Sequence, residues 1–249
     1  MRRVCLLLLL AGMVSLAPSG FGAVAHVQSA QGECAASFAG NISSSCNGVL
    51  TKTFSFTPTS TNDGVLFAVG CADASTPTAV SLSATGWTFT QIGGIVGSTT
   101  AGFMAAFRAY SPNTSAATIT MTWTTGSCTF MNDLVDEFSG EDTTNFVDAS
   151  NSATGSGSPT VSVTPVNNND GVWGAANDSV TAVGSGYTKG ADDTQQDWSE
   201  WKILSGSAGV AQTVNFTGSG TYTIFAATIK PAGAATCNQS IALMRVGCR

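Results

Sequence analysis

The chain has 249 residues and carries 9 Lys and Arg against 15 Asp and Glu, a net charge of −6. Its few positive charges are scattered, which excludes the clustered Lys and Arg that nucleic acid or an anionic lipid surface demands.

The first element is a leader. Arg2 and Arg3 precede the run Leu6–Leu10, and the apolar stretch from Val4 to Ala17 is broken by Pro18, Gly20 and Gly22. That stretch is shorter than the roughly 20 residues a membrane-spanning helix needs. Ala23-Val24-Ala25 then presents the small-x-small pattern cut by signal peptidase. These features predict a signal peptide over residues 1–25, with His26 as a mobile new N-terminus. They predict an extracellular or periplasmic address and no membrane partner. The cut would leave 224 residues, with 7 basic residues against 15 acids and a net charge of −8.

Export makes cysteine a structural residue. Cys5 leaves with the leader, and Cys34, Cys46, Cys71, Cys128, Cys237 and Cys248 remain. Spacing suggests Cys34–Cys46 and Cys237–Cys248 as local loops, leaving Cys71–Cys128 to join two strands. No C-x-x-C pair exists and His26 is the sole histidine, so a zinc site is not expected.

The mature sequence reads as all-β. Thr and Ser dominate the polar positions, and no segment of a dozen residues carries a helical apolar stripe. Period-two alternation runs past Phe54 and Phe56, Val80 and Leu82, Ile119 to Trp123, Val161 and Val163, and Val214 and Phe216. Val65–Cys71 and Phe103–Tyr110 are apolar on both faces, as strands in the middle of a packed sheet are. Turn signals at Asn62-Asp63-Gly64, Asn168-Asn169-Asp170-Gly171 and Gly184-Ser185-Gly186 separate about a dozen short strands. The pattern predicts a single antiparallel, jelly-roll-like β-sandwich over residues 26–230, stapled by disulfides. Thr154–Pro159 is read as a long loop within it, and residues 231–249 as a short disulfide-closed tail. Asp63-Gly64-Val65 and Asp170-Gly171-Val172 echo one another, but no repeat is otherwise visible.

The stretch Asp133–Asp148, DLVDEFSGEDTTNFVD, resembles the E-F/Y-S-G-x-D-T-T/S-N-x-V/L-D block of a group of bacterial secreted β-sandwich domains without assigned activity. Asn62–Val69, Gly86-Trp87-Thr88 and Phe103–Tyr110 support the likeness, which spans Thr53 to Lys230. It implies a jelly-roll-like fold in an extracellular protein, often one module of a surface or polymer-associated assembly. It transfers no catalytic residue.

Chemistry-bearing sets are few. A Ser or Cys triad needs a histidine base, and a mobile His26 does not supply one. Paired carboxylates for glycoside cleavage do not arise within one strand. Asp136 and Glu137 leave opposite faces, and Asp133 and Glu137 are separated by ~13 Å. A cross-strand pair between Glu137 and Asp192, Asp193 or Glu200 stays open. Otherwise Asp133 and Asp136 lie near solvent and Glu137 holds turn amides. Two acid groups are candidate calcium ligands, Glu141 with Asp142 and Asp148, and Asp192 with Asp193 and Asp197; no other cofactor is implied. Trp198, outward beside Glu200, and Trp87 are candidate sugar platforms, while Trp123 and Trp201 point inward.

The leading functional expectation is a secreted, non-catalytic module binding a polysaccharide or cell surface. The alternatives are a structural subunit of an extracellular filament or coat, self-associating through the apolar tail Ile241–Met244, and a carboxylate-dependent polysaccharide hydrolase or lyase.

Overall fold

The computed structural model describes residues 23–35, 50–72, 75–124, 128–177 and 179–233, of 34 and 35 the backbone alone. The apolar and hydroxylated alternation folds as strands throughout, with no helix among the described residues. The first half contributes β1 (Ala25–Ala35), β2 (Thr51–Phe56), β3 (Gly64–Ala72), β4 (Ala79–Ser83), β5 (Thr90–Ser98), β6 (Gly102–Tyr110), β7 (Ala117–Thr124) and β8 (Phe130–Ser139). They form an antiparallel sheet in the order β1-β8-β3-β6-β5, covered by the sheet β2-β7-β4. This is jelly-roll connectivity, with β5 attached beside β6 instead of β4.

The second half repeats it. Its strands are β9 (Val147–Ser156), β10 (Thr160–Val163), β11 (Gly171–Asn177), β12 (Val180–Ala182), β13 (Thr188–Asp192), β14 (Trp198–Ile203), β15 (Gln212–Asn215), β16 (Thr217–Gly218) and β17 (Thr221–Ile229). The main sheet runs β9-β17-β11-β14-β13, strand for strand the order of the first. The pairs β10-β15 and β12-β16 stand where β2-β7-β4 stands.

Register repeats as well as order. Gly64 opposite Phe138 and Tyr110 is matched by Gly171 opposite Ile229 and Ile203. Phe54 opposite Ile119 becomes Val161 opposite Val214, and Val80 opposite Trp123 becomes Val180 opposite Gly218. Even the bulge recurs: β1 skips a residue between His26 and Gln28, and β9 skips one between Val147 and Ala149. Phe56-Thr57-Pro58 followed by Asn62-Asp63-Gly64-Val65 returns as Val163-Thr164-Pro165 followed by Asn169-Asp170-Gly171-Val172. Asn62 and Asn169 both turn with positive φ, 65° and 63°, a conformation asparagine tolerates better than most residues. The Asp-Gly-Val echo is therefore the visible part of an internal duplication.

One two-layer sandwich was expected; the molecule has four layers. Each five-stranded sheet is apolar on both faces because one covers its own small sheet and the other covers the second roll. Val65, Phe67 and Val69 of β3 enter the first roll's own core with Ile119, Met121 and Trp123. Leu66 and Ala68, on the opposite face, enter a central core with Phe138, Trp173, Phe225 and Ile229. Val172, Ile224 and Val214 belong to the third core, inside the second roll. Neither roll could expose its main sheet to water without uncovering that central layer. The two halves face each other across an approximate two-fold axis: β1 lies against β13 as β9 lies against β5, and β8 against β14 as β6 against β17.

As the sequence indicates, β3 and β6 sit inside their sheet. Thr154–Pro159, read as a loop, instead ends β9 and turns into β10. The segment joining the rolls is residues 140–146, within the resemblance block. It pairs with the residue that follows β17: the Asp142 N–H donates to the Lys230 carbonyl and the Lys230 N–H to that of Phe146. Cys71 and Cys128 are bonded, tying β3 to the approach to β8 in the first roll. The other two expected bridges and the tail fall outside the described residues, as does most of the stretch expected to be a leader. Val24 is described, and it is buried in the central core.

Candidate functional site

The two ends of the central layer, equivalent by the pseudo-two-fold, have diverged. At the β1/β13 end the side chains facing the centre pack on one another. Asp136, fully buried on β8, accepts hydrogen bonds from the Trp173 indole at 2.7 Å and from the Ser29 hydroxyl at 2.6 Å. His26 Nε2 lies 3.1 Å from the same carboxylate and 2.9 Å from Ser29 Oγ. The His26 ring is stacked on Trp201 at 4.6 Å, nearly parallel. His26 was expected as a mobile end; strand pairing and this stacking hold it in place. The trio Ser29, His26 and Asp136 is not a triad. A relay needs the serine and the carboxylate on opposite ring nitrogens, and here both meet Nε2.

At the β5/β9 end the same positions are open. Register places Arg108 where the other half has Trp201: Arg108 lies opposite Leu66 and Thr90, as Trp201 lies opposite Trp173 and Thr188. Val147 takes the place of His26, Ser150 that of Ser29 and Ala227 that of Asp136. The result is a cleft of 260 Å³ between β5, β6 and β9, with Arg108, Gln91, Asn145 and Ser150 on its walls. A second cleft of 350 Å³ continues from it toward Tyr110, Thr144 and Phe146, and the two share Thr90 and Arg108. The larger falls within the ordinary range of ligand pockets, ~300–1,000 Å³.

Arg108 is the distinctive group. Lys52, Lys189 and Lys230 each pair with an aspartate, whereas Arg108 and Lys202 have no carboxylate within ion-pair distance among the described residues; Lys202 lies over the Tyr187 ring, and Arg108 lines a cleft. Its guanidinium stands 6.0 Å from the centre of the Phe146 ring. Tyr110 donates its hydroxyl to the Asp142 carbonyl at 2.6 Å, fixing the aromatic wall to the inter-roll segment. The one acid on either cleft's lining, Asp148, is occupied by Thr228 and Asn167.

The residues picked out by sequence are dispersed. Trp87 is half-buried, edge-on to Phe56 and Phe67 and stacked with Phe89 at 5.6 Å. Trp198, expected outward, packs against the second roll's core because β14 is an interior strand, and the Lys189 ammonium covers its ring at 4.5 Å. Glu200 is buried rather than beside a surface platform. It accepts from the Gly184 and Asn215 amides, and burial pushes its carboxyl up to about 7. Asp133 and Asp136, read as near solvent, are buried, since β8 has a core on each side. Glu137 accepts from the Thr59 amide and from Gln28, not from the turn after Phe138.

Neither proposed calcium set converges. Asp142 accepts from Lys230 and from the Asn145 and Thr144 amides, which together hold its carboxyl down at about 2. Glu141 is tucked against Gly64, and burial, with Asp63 and Glu137 nearby, raises it to about 7. Asp192 pairs with Lys189, while Asp193 and Asp197 share Asn132. Among the described residues no three metal-ligating side chains gather in one place.

Comparison with known proteins gives no match: no family model, curated protein or solved structure matches the chain. Arg108 escaped the sequence reading, though one signal for it existed. It is the only charge in the two-faced apolar run Phe103–Tyr110, a place where a buried strand has no ordinary use for a cation.

Proposed function

We propose that this chain is a secreted, non-catalytic binding module that holds a polysaccharide or cell-surface glycan along the groove between its two rolls. The observation that carries the reading is the pair of adjoining clefts around Arg108, walled by Thr90, Gln91, Asn145 and Ser150, with the half-buried Tyr110 ring as an apolar surface. Sugar rings need that combination of hydroxyl-matching side chains and an apolar face. Cleavage of a glycosidic bond takes two acids about 5–9.5 Å apart. The groove's lining offers one, already hydrogen-bonded. The leader, the Cys71–Cys128 bridge and the resemblance block agree with an extracellular setting.

Pull-down on insoluble polysaccharides and a glycan array test this. Thr90 is exposed and lines both clefts, so Thr90→Trp fills the groove without entering a core. Wild-type retention that Thr90→Trp abolishes is the expected result. No retention on any glycan, or retention indifferent to Thr90→Trp, would refute it.

A further inference from the structure

We propose that the groove selects a carboxylate-bearing sugar, a uronate or similar acidic saccharide, whose carboxylate sits on Arg108. This rests on the glycan reading above and adds the charge of the ligand.

The pseudo-two-fold supplies a control within the same molecule. At the β1/β13 end, an aromatic side chain at the Arg108 position and a stacked ring at the Val147 position close the space. Nothing in the fold therefore demands a cation there. The structural solution there is Trp201 stacked on His26. At the other end a guanidinium replaces the indole and the partner ring is lost, so the volume is open. An arginine retained in a half-buried cleft, where the one lining acid, Asp148, is already held by Thr228 and Asn167, bears a desolvation cost that an anionic ligand would offset.

The geometry of the group narrows the anion. Guanidinium is planar and matches a carboxylate with two parallel N–H···O bonds. Around it, Gln91 on β5, Asn145 on the inter-roll segment and Ser150 on β9 present donors and acceptors suited to ring hydroxyls. The chain's net negative charge opposes an anionic ligand at long range. Screening at physiological salt limits that repulsion to ~8 Å, and the contact itself is local to Arg108.

The test is titration with oligogalacturonate and with its methyl ester, in the presence of a chelator so that bridging calcium plays no part. Dextran sulfate and poly-glutamate serve as further arms. The acid form is expected to bind at least tenfold more tightly than the ester, and more tightly than either other polyanion. Arg108→Gln is expected to remove that preference at an unchanged melting temperature, and Arg108→Lys to restore it only in part. The ester comparison needs no variant, so a poorly folded Arg108→Gln would not leave the question open. Equal binding of acid and ester, both blocked by Thr90→Trp, would overturn the charge assignment and leave the glycan groove standing. Tighter binding of dextran sulfate or poly-glutamate than of oligogalacturonate would overturn the sugar-carboxylate assignment. If no saccharide binds, both readings fall.

Discussion

Lys52 on β2 and Asp133 on β8 form an ion pair inside the first roll, with 3% and 2% of their side chains exposed. Replacing Lys52 with Met strands a carboxylate in a core. Breaking a buried pair by deleting one partner costs ~3–5 kcal/mol, because the remaining charge keeps its desolvation penalty. Burial already outweighs the lysine: the Asp133 carboxyl is pushed up to about 6 with the ammonium beside it. A carboxyl whose folded pKa is raised contributes stability that is full below its unfolded value near 4 and is lost as pH rises through the folded value. Without the ammonium the folded value climbs further, so the loss between pH 5 and 8 steepens. Lys52→Met is therefore expected to lose ~3–5 kcal/mol at pH 8 and markedly less at pH 5, where Asp133 is protonated at little cost. Lys52→Met with Asp133→Asn, which removes both charges at similar volume, is expected to regain most of the loss at pH 8. Urea unfolding followed by tryptophan fluorescence at the two pH values reads the wild type and both variants. Equal losses at both pH values, or a double variant no better than the single, would refute the reasoning.

Glu200 and Glu141 are both raised to about 7 and Asp170 to about 6, each chiefly by burial. By the same sign, wild-type stability is greatest below pH ~4.5 for these groups and declines as pH rises toward 7, on the order of 3 kcal/mol for Glu200 alone. Melting temperature measured from pH 5 to 8 is expected to fall, and Glu200→Gln to flatten part of that fall; a midpoint rising with pH would contradict it. The Cys71–Cys128 bridge closes a loop of 57 residues, which the chain-entropy relation values at ~4 kcal/mol. Paired Cys71→Ala and Cys128→Ala replacement should lower the urea midpoint accordingly, and an unchanged midpoint would remove the bridge from the stability account.

Strand content and the jelly-roll class were legible because both rest on local signals. Ile119, Met121 and Trp123 alternate with threonines, and all three are buried. The second layer of organisation was hidden by the chemistry of a sheet covered on both faces. A strand such as Gly171–Asn177 is wholly buried, so it shows no alternation to mark which residues face which core. The duplication was hidden for a related reason. Matching positions keep their backbone role but not their side chain, as Phe54 and Val161 or Trp87 and Tyr187 show. What survives in the letters is what the backbone itself requires. Asn62 and Asn169 have positive φ, and Gly86 and Gly186 both turn at 82°. The groove was illegible because Arg108, Asn145 and Ser150 meet only through the packing of one roll against the other.

The divergence of the two ends has a single physical root in the residue facing the centre from the last strand of each main sheet. On β8 that residue is Asp136, and its counterpart on β17 is Ala227. A carboxylate at zero exposure must be met by donors. The β1/β13 end supplies them as the Trp173 indole, the Ser29 hydroxyl and His26, and Trp201 seals the imidazole from above. Trp173, Ser29 and His26 each meet the Asp136 side chain directly. With alanine in that place nothing has to be satisfied. Leu66, Val147 and Ser150 can then be ordinary strand residues, and the position filled elsewhere by Trp201 is free to carry Arg108. One buried acid thus fixes which end of the duplicated molecule packs around a hydrogen-bonded centre, and where it is absent the other end holds a cleft.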